Sequence, residues 1–424
     1  MPDTLRDLLA HRKSSSARGI YSICSAHPWV LAAAMQQAIA DDSPLLIEAT
    51  SNQVNQFGGY TGMRPADFHA MVMQIADREG MPRERIILGG DHLGPNPWQK
   101  LPAAEAMKHA IAMVAEYARA GFTKLHLDAS MSCADDPTPI AVETVAERAA
   151  QLCEAAEKAA GERRDPLSYV IGTEVPVPGG ATESLDHIAV TKRADAEETL
   201  ITHREIFAAH GLEAAWPRVI ALVVQPGVEF NHDSVVLYEP SKAQDLIKLL
   251  DAHTPLVFEA HSSDYQLPQN YVDLVRDGFA ILKVGPALTF ALREALFGLA
   301  AIEDELVPAQ DRSNLIRVVE DTMLREPKNW KGHYHGTEEE QRLLRRYSYS
   351  DRMRYYWPEP QVKAAVDTLM DNLSQRTIPE TMLSAYLPDA YRAVRAGSIP
   401  NEPLWIVLNA VREAIRPYAA ACFQ

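Results

Sequence analysis

Histidines and carboxylates recur in this chain at or shortly after the ends of short apolar segments, at positions where they could converge on one site. Asp91 and His92 follow the third such segment, and His232 and His261 follow the sixth and the seventh. Three imidazoles with a carboxylate nearby can hold a divalent metal and leave one position open for a substrate. We therefore expect His92, His232 and His261 to bind a metal. Zinc is favoured, because imidazole suits first-row ions better than magnesium or calcium.

Further polar side chains follow the other apolar segments. Asp128 ends the fourth segment, and Glu174 comes directly after the fifth. A single polar residue at such a position is more often a hydrogen-bonded loop residue. The prediction of a shared site therefore depends on polar residues following several segments at once. The residues expected to line a substrate site are Glu48, Asn52, Gln53, Ser262, Asp264 and Lys283. For Glu48, a buried ion pair is the alternative.

The segments that must position these residues alternate with helical patterns over about the first 300 residues. Each segment is rich in Ile, Val or Leu, as strands buried on both faces are. The eight segments are Gly19–Cys24, Leu45–Glu48, Ile86–Gly89, Lys124–Asp128, Tyr169–Thr173, Arg218–Val224, Leu256–Glu259 and Ala280–Val284. Eightfold strand–helix alternation predicts a (β/α)8 TIM barrel, whose chemistry lies at the carboxyl ends of the strands. An open doubly wound sheet is disfavoured, since no GxGxxG follows the first segment.

Helical patterns dominate the remainder of the chain. We predict a barrel over residues 1–304 and a helical C-terminal extension over 305–424 that covers the barrel mouth. The predicted helices include Pro102–Ala120 and Ile140–Gly161 in the barrel, and Gln361–Asn372 and Pro403–Ala421 in the extension. A basic and aromatic stretch, Arg345–Trp357, precedes the latter two and could be either a solvated helix face or part of the site.

Composition and charge exclude several classes of function. The 424 residues are 47% hydrophobic and 23% charged, with a formal net charge of −16. That charge argues against nucleic acid or an anionic membrane surface as a partner. Four scattered cysteines and no signal-peptide pattern favour a cytoplasmic setting. The sequence contains no run of 18 apolar residues, so we expect no membrane-spanning helix.

Several long motifs resemble one protein family over essentially the whole chain. They are LLIEATSNQVNQFGGYTGM, IILGGDHLGPNPWQ, GFTKLHLDASMSC, IGTEVPVPGG and YSDRMRYYWP. These resemble the GatZ/KbaZ family, described as the non-catalytic subunit of class II tagatose-bisphosphate aldolase. That family is in turn similar to the zinc-dependent class II aldolases, which are (β/α)8 barrels.

The aldolase resemblance assigns roles to individual residues. Asp91 and His92 match a catalytic Asp followed by a zinc-binding His, and His261 matches a further zinc ligand. His232 matches the remaining ligand with looser spacing. Glu174 resembles an acidic residue that can approach the metal, and so stands as both a catalytic and a metal-binding candidate.

Two loops depart from the aldolase pattern. The loop after the seventh strand reads HSSD, where aldolases have a glycine-rich cradle for the C1 phosphate, and Asp264 would repel that phosphate. After the eighth strand, Pro286 removes a backbone donor. The metal chemistry is retained in this pattern while the C1-phosphate cradle is lost.

These departures favour a ketose 6-phosphate with a free C1 hydroxyl over a 1,6-bisphosphate. We expect a metal-dependent 4-epimerase that interconverts tagatose 6-phosphate and fructose 6-phosphate by retro-aldol and aldol steps. Asp91 would move the C4 hydroxyl proton, with Glu174, Asp128 or Glu48 as the second acid/base group. The C6 phosphate would contact the extension through Arg352, Arg354 and Tyr355.

The alternative is a non-catalytic partner that stabilises a separate class II aldolase subunit. A sugar-phosphate kinase is disfavoured because no GxxxxGK[ST] is present. We expect a homo-oligomer whose small-molecule partner is a sugar phosphate, with galactitol catabolism as the setting that the resemblance implies.

Overall fold

Eight parallel strands close into a barrel in the computed structural model, which describes residues 5–10, 18–173 and 188–423. The strands are β1 (Ile20–Ile23), β2 (Leu45–Thr50), β3 (Ile86–Leu93), β4 (Lys124–Leu127), β5 (Ser168–Ile171), β6 (Val219–Val223), β7 (Glu229–Phe230), β8 (Val235–Val236), β9 (Val257–Ala260) and β10 (Phe279–Val284). Their order around the barrel is β1-β10-β9-β6-β5-β4-β3-β2, while β7 and β8 form a separate antiparallel hairpin. The predicted (β/α)8 fold is confirmed.

Helices surround the barrel and form the C-terminal region. They are α1 (Leu5–Ala10), α2 (Pro28–Ala40), α3 (Pro65–Glu79), α4 (Ala103–Arg119), α5 (Val142–Ala160), α6 (Arg193–Ala209), α7 (Pro240–Ile247), α8 (Leu249–Ala252), α9 (Pro268–Arg276), α10 (Pro286–Leu306), α11 (Leu315–Arg325), α12 (Glu338–Tyr347), α13 (Pro360–Ser374), α14 (Glu380–Tyr386), α15 (Pro388–Arg395) and α16 (Pro403–Phe423). The four helices predicted from the sequence correspond to α4, α5, α13 and α16. The domain boundary predicted at residue 304 falls in the last turn of α10 and stays a prediction.

The amino ends of the strands are closed by apolar packing. Leu5, Leu8 and Leu9 of α1 join a buried cluster inside the barrel that includes Ile20 and Ile281. Alternation along each strand sends every second side chain inward and the others onto the surrounding helices. Because this end of the barrel is packed with apolar side chains, polar side chains farther along the strands face the opposite, carboxyl end.

The C-terminal helices pack back onto the barrel. Helix α16 contacts α2, α9, α10 and β1. The backbone N–H of Gly19, just before β1, donates to the carbonyl of Cys422 at 3.3 Å. The last long helix is therefore part of the barrel's outer layer, and no helix among the described residues has the length and apolarity needed to cross a membrane.

A short segment before α13 crosses the carboxyl end of the barrel. The N–H of Tyr349 donates to the carbonyl of His232 at 2.8 Å, and the hydroxyl of Tyr265 donates to the carbonyl of Tyr349 at 2.6 Å. Asp351 accepts a 2.5 Å hydrogen bond from Thr289 and pairs with Arg293 at 3.4 Å, both on α10. These contacts hold the following turn, Arg352–Tyr355, at the barrel mouth.

Candidate active site

A cluster of four buried side chains lies at the carboxyl end of the barrel. Asp91 belongs to β3, His126 to β4 and Glu259 to β9, and His261 directly follows β9. Each offers one ligand atom, and these atoms all lie within 4.8 Å of one another. Imidazole nitrogens and carboxylate oxygens are the donors that zinc and related first-row ions accept.

The environment of His126 fits a bound cation. Its Nδ1 lies 3.2 Å from Asp91 Oδ1 and accepts the backbone N–H of His92 at 3.3 Å. Its Nε2 is buried and has no hydrogen-bond partner in the part of the chain that the structure describes. A buried polar atom left without a partner is costly. A metal ion bound by Asp91, His126, Glu259 and His261 would give this nitrogen a partner.

A buried ion network lies beneath the cluster and carries an excess of negative charge. Lys124 Nζ pairs with Glu48 Oε1 at 2.8 Å and with Glu259 Oε2 at 2.6 Å. Lys283 Nζ lies 2.8 Å from both Glu48 Oε2 and Asp91 Oδ1. Three carboxylates, those of Glu48, Asp91 and Glu259, thus share two lysines, an imbalance that a bound cation would offset.

His92 borders the cluster and is oriented by Asp128. His92 Nδ1 lies 2.7 Å from Asp128 Oδ2, and Asp128 Oδ1 accepts hydrogen bonds from the N–H and the hydroxyl of Ser130 at 3.1 and 2.7 Å. A carboxylate in this position fixes the tautomer and the ring orientation of a histidine. Asp128 does not line the cavity described below, so its contacts are those of an orienting group.

A glycine allows the two strand ends to approach at this point. A Cβ atom on Gly94 would lie 1.5 Å from the carbonyl oxygen of Asp128, so no other residue type fits there. The close approach brings the rings of His92, His126 and His261 together, with centroids 4.9 to 5.2 Å apart. Three imidazoles thus converge, and the third is that of His126 and not that of His232.

The pKa values of the buried groups indicate which of them are charged and which are neutral. Burial alone would raise the pKa of Asp91, but His92 and Lys283 outweigh it and hold that pKa well below its usual value. Burial alone would lower the pKa of Lys283, but Asp91 and nearby groups raise it well above the usual value. Burial lowers the pKa of His261 to about 3. Asp91 is therefore an anionic carboxylate, Lys283 a cation unsuited to nucleophilic attack, and His261 a neutral imidazole.

A cavity of about 520 Å³ opens above the cluster. Asp91, His92, His261 and Lys283 form its base. Its wall includes Asn52, Gln53, Ser262 and Asp264, and its outer side is formed by the C-terminal region through Arg354, Tyr355, Trp357 and Lys363. The volume is in the range typical of small-molecule sites.

One side of the cavity carries a carboxylate at a helix N-terminus. Asp264 Oδ1 accepts the backbone N–H of Gly285 at 3.1 Å and that of Ala287 at 2.8 Å, at the start of α10. Pro286 between them has no N–H. Free N–H groups at a helix N-terminus are a ready anion site, and here Asp264 already occupies them.

The outer side carries an arginine that faces the cavity without a carboxylate partner. The guanidinium of Arg354 donates to backbone carbonyls of Ser350 and Asp351 and, at 3.0 Å, to the hydroxyl of Tyr355. It forms no ion pair with a carboxylate among residues 5–10, 18–173 and 188–423. The Tyr355 ring lies under it at 4.6 Å from Cζ. An anionic ligand could therefore bind this cation without displacing an internal partner.

The predicted substrate-binding residues divide into two groups. Those that line the cavity are Asn52, Gln53, Ser262, Asp264, Lys283, Arg354 and Tyr355. Glu48 and Arg352 do not line it: Glu48 pairs with both buried lysines, and Arg352 Nε donates to the carbonyl of Asn329.

Among the described residues, one of the expected metal ligands, His261, belongs to the cluster, and His92 borders it without being a member. His232 lies in the loop between β7 and β8, and its ring nitrogens bond the hydroxyl of Ser348 at 3.2 Å and the carbonyl of His333 at 3.0 Å. The expectation for His232 is corrected, since contacts with the C-terminal region occupy both nitrogens. Glu174 lies outside the described residues.

Two residues of the cluster, His126 and Glu259, were not selected from the sequence. The sequence contained a signal for both, because strand alternation puts His126 on the same face as Lys124, and His261 on the same face as Glu259.

Backbone strain is also concentrated around the cavity. Of six non-glycine residues with positive φ among those described, His92, Ser262, Tyr265 and Asp351 surround the cavity or hold its cover.

Comparisons with known proteins agree with the sequence motifs. A protein described as a probable tagatose 6 phosphate kinase from Sinorhizobium meliloti 1021 is 51% identical, with a TM-score of 0.89 over 96% of this chain and 100% of that one. The YdjI aldolase from Escherichia coli K12 is 13% identical, with a TM-score of 0.44 over 73% of this chain and 89% of that one, a likeness too weak to bear on function. The model of the family described as D-tagatose-1,6-bisphosphate aldolase subunit GatZ/KbaZ-like matches residues 5–423. The chain belongs to this GatZ/KbaZ-like family.

Proposed function

We propose that this chain is a metal-dependent ketose-phosphate 4-epimerase that interconverts tagatose 6-phosphate and fructose 6-phosphate. The observation that carries the proposal is the polarity of the cavity. Its base holds the candidate metal ligands, one side presents the Asp264 carboxylate, and the outer side presents the Arg354 cation. A substrate with one phosphate matches this arrangement, and a bisphosphate would place its second phosphate near a carboxylate.

The chemistry follows from the groups at the base. A divalent ion held by Asp91, His126, Glu259 and His261 would polarise the ketose oxygens and stabilise the negative charge that develops on C–C cleavage. Asp91, kept ionised by His92 and Lys283, accepts the proton of the C4 hydroxyl. The C3–C4 bond breaks, its electron pair stays with the C1–C3 fragment, and C4 becomes an aldehyde. Rotation of the aldehyde and re-formation of the bond invert C4.

The remaining residues hold the two fragments. Asn52, Gln53 and Ser262 line the wall and offer amide and hydroxyl groups for the sugar hydroxyls. Arg354 would hold the C6 phosphate, so that the phosphorylated aldehyde stays bound while its carbonyl turns. The fragments are dihydroxyacetone and glyceraldehyde 3-phosphate.

The second candidate function is that of a non-catalytic partner of a class II tagatose-1,6-bisphosphate aldolase. The observation that favours it is the description of the family, which names a subunit.

The kinase activity named for the Sinorhizobium meliloti protein gains no support from this chain, which has no GxxxxGK[ST] loop for the phosphates of a nucleotide. Zinc as the ion, a homo-oligomeric state and a cytoplasmic location are part of the proposal.

Assaying the chain alone decides between the two functions. The purified protein is analysed for bound metal by mass spectrometry and then incubated with tagatose 6-phosphate, with and without chelator. Fructose 6-phosphate formed only with metal supports the epimerase. No turnover by the metal-loaded chain, together with stabilisation of an added aldolase subunit, would establish the partner role instead.

Matched variants make the test sharper. His126→Ala removes a cluster ligand and should abolish both metal retention and turnover. His69→Ala, on the outer face of α3, is the matched control and should change neither.

A further inference from the structure

Two buried carboxylates, Asp91 and Asp264, line the same cavity. Asp91 lies in β3, and Asp264 is in the loop that follows β9. Asp91 is at the base of the cavity and Asp264 is in its wall, so the two carboxylates approach a bound ligand from different directions.

The contacts of Asp264 leave one oxygen available. Oδ1 is held by the N–H groups of Gly285 and Ala287. Oδ2 receives no hydrogen bond from another residue in the described parts of the chain. A side chain anchored through one oxygen has a fixed position and can still exchange a proton through the other.

The surroundings make Asp264 a carboxyl group that takes up a proton readily. Burial raises the pKa of Asp264 to about 6, against the lowering effects of the α10 N–H groups and the Arg354 charge. Its position in the cavity wall, with one oxygen fixed on α10, allows such a group to give a proton to a bound substrate.

We propose that Asp264 is the second catalytic acid/base, which serves the C4 oxygen of one epimer while Asp91 serves that of the other. This rests on the proposed epimerase function. In one direction, Asp91 takes the C4 hydroxyl proton, the C3–C4 bond breaks, and the aldehyde turns its opposite face to the C1–C3 fragment. When the bond re-forms, the new C4 alkoxide takes the proton of Asp264. Solvent then returns a proton to Asp264 and removes one from Asp91, so the cycle needs no other reactant.

The other reading of Asp264 is a helix cap alone. The Asp264→Asn variant separates the two roles, because an amide oxygen still accepts the α10 N–H groups but the side chain cannot exchange a proton. Asp264→Ser, also a good cap, is the second variant should the first not fold. Asp135→Asn is the matched control, since Asp135 accepts the N–H of Ala103 at the start of α4, away from the cavity.

The experiment measures exchange of ¹³C-labelled dihydroxyacetone into both ketose phosphates by NMR. The wild type and Asp135→Asn should label both epimers. Asp264→Asn, folded and with unchanged metal content, should label one epimer within about threefold of the wild-type rate and the other at least about 100-fold more slowly.

Two outcomes overturn the assignment: an equal loss of exchange into both epimers, or normal labelling of both. Absence of labelling and of epimerisation in the metal-loaded wild type would instead refute the proposed epimerase function itself, so the two failures are distinguishable.

Discussion

The Arg354→Ala substitution tests whether the C-terminal region holds the phosphate of the substrate. Arg354 reaches the cavity from the turn at Arg352–Tyr355 and has donors left after its bonds to two carbonyls and Tyr355. Two charge-assisted hydrogen bonds from a guanidinium to a phosphate stabilise the complex by about 3 to 4 kcal/mol. Since about 1.4 kcal/mol corresponds to a factor of ten, the variant should lose about 10² to 10³-fold in kcat/KM.

The assay compares phosphorylated and unphosphorylated sugars. For tagatose 6-phosphate, the loss should appear mainly as a raised KM. For tagatose itself, the variant and the wild type should have similar kcat/KM, because the missing contact involves only the phosphate. Arg354→Lys keeps the charge but not the paired donors and should fall between the two.

The exposed pair of Arg392 and Asp389 on α15 provides the matched control. Arg392→Ala should leave both substrates unaffected. An equal loss for both sugars in Arg354→Ala would show that the arginine serves the fold of the segment, and an unchanged KM for the phosphorylated sugar would show that the phosphate binds elsewhere. Either result would refute the reasoning.

Four further predictions concern the site and its support. His126→Ala should weaken metal binding by at least about 100-fold in a competition titration with a chromogenic chelator, and retention of full affinity would remove His126 from the ligand set. Gly94→Ala should destabilise the protein by about 3 kcal/mol or prevent folding, because its Cβ would overlap the carbonyl of Asp128; urea unfolding checks this, and no loss would contradict the close approach. Lys124→Met removes one of the two buried lysines that Glu48 and Glu259 share and should lower the free energy of unfolding by about 3 kcal/mol, whereas a neutral effect would argue against a charged network. Since the pKa of Asp264 is raised to about 6, its contribution to stability is present below pH 4 and is lost as the pH rises through 6. Metal-free Asp264→Asn should therefore gain up to about 3 kcal/mol on the wild type between pH 4 and pH 7, measured by urea unfolding at both values.

The barrel could be predicted from the sequence because each strand is recognisable from its own short stretch of residues. Each strand is a short apolar run buried on both faces, and the helices between them carry clear amphipathic patterns. Asp91, His261 and Asp264 could be named from the sequence because polar residues recur at the ends of the predicted strands, and all three line the cavity. The stretch Arg345–Trp357 could be named because it combines arginines with aromatics, although the sequence left a solvated helix face as the alternative.

The remaining part of the site depends on contacts between distant residues. His126 lies inside β4, and the pairing of β4 with β3 places it beside Asp91. His232 has the residue type and approximate spacing of a ligand, but the β7–β8 hairpin turns it towards Ser348. Sequence spacing does not reveal that turn, because the partner lies more than a hundred residues later.

The order of the site along the chain has a consequence for how the protein matures. All four cluster residues lie between positions 91 and 261, whereas the arginine that faces the cavity is at position 354. During synthesis, the strands that carry the ligands leave the ribosome well before the segment that covers them. If the cluster binds an ion as proposed, a nascent barrel could acquire it while the mouth is still open to solvent. The later docking of Arg352–Tyr355 onto α10 would then complete the proposed substrate site around that ion.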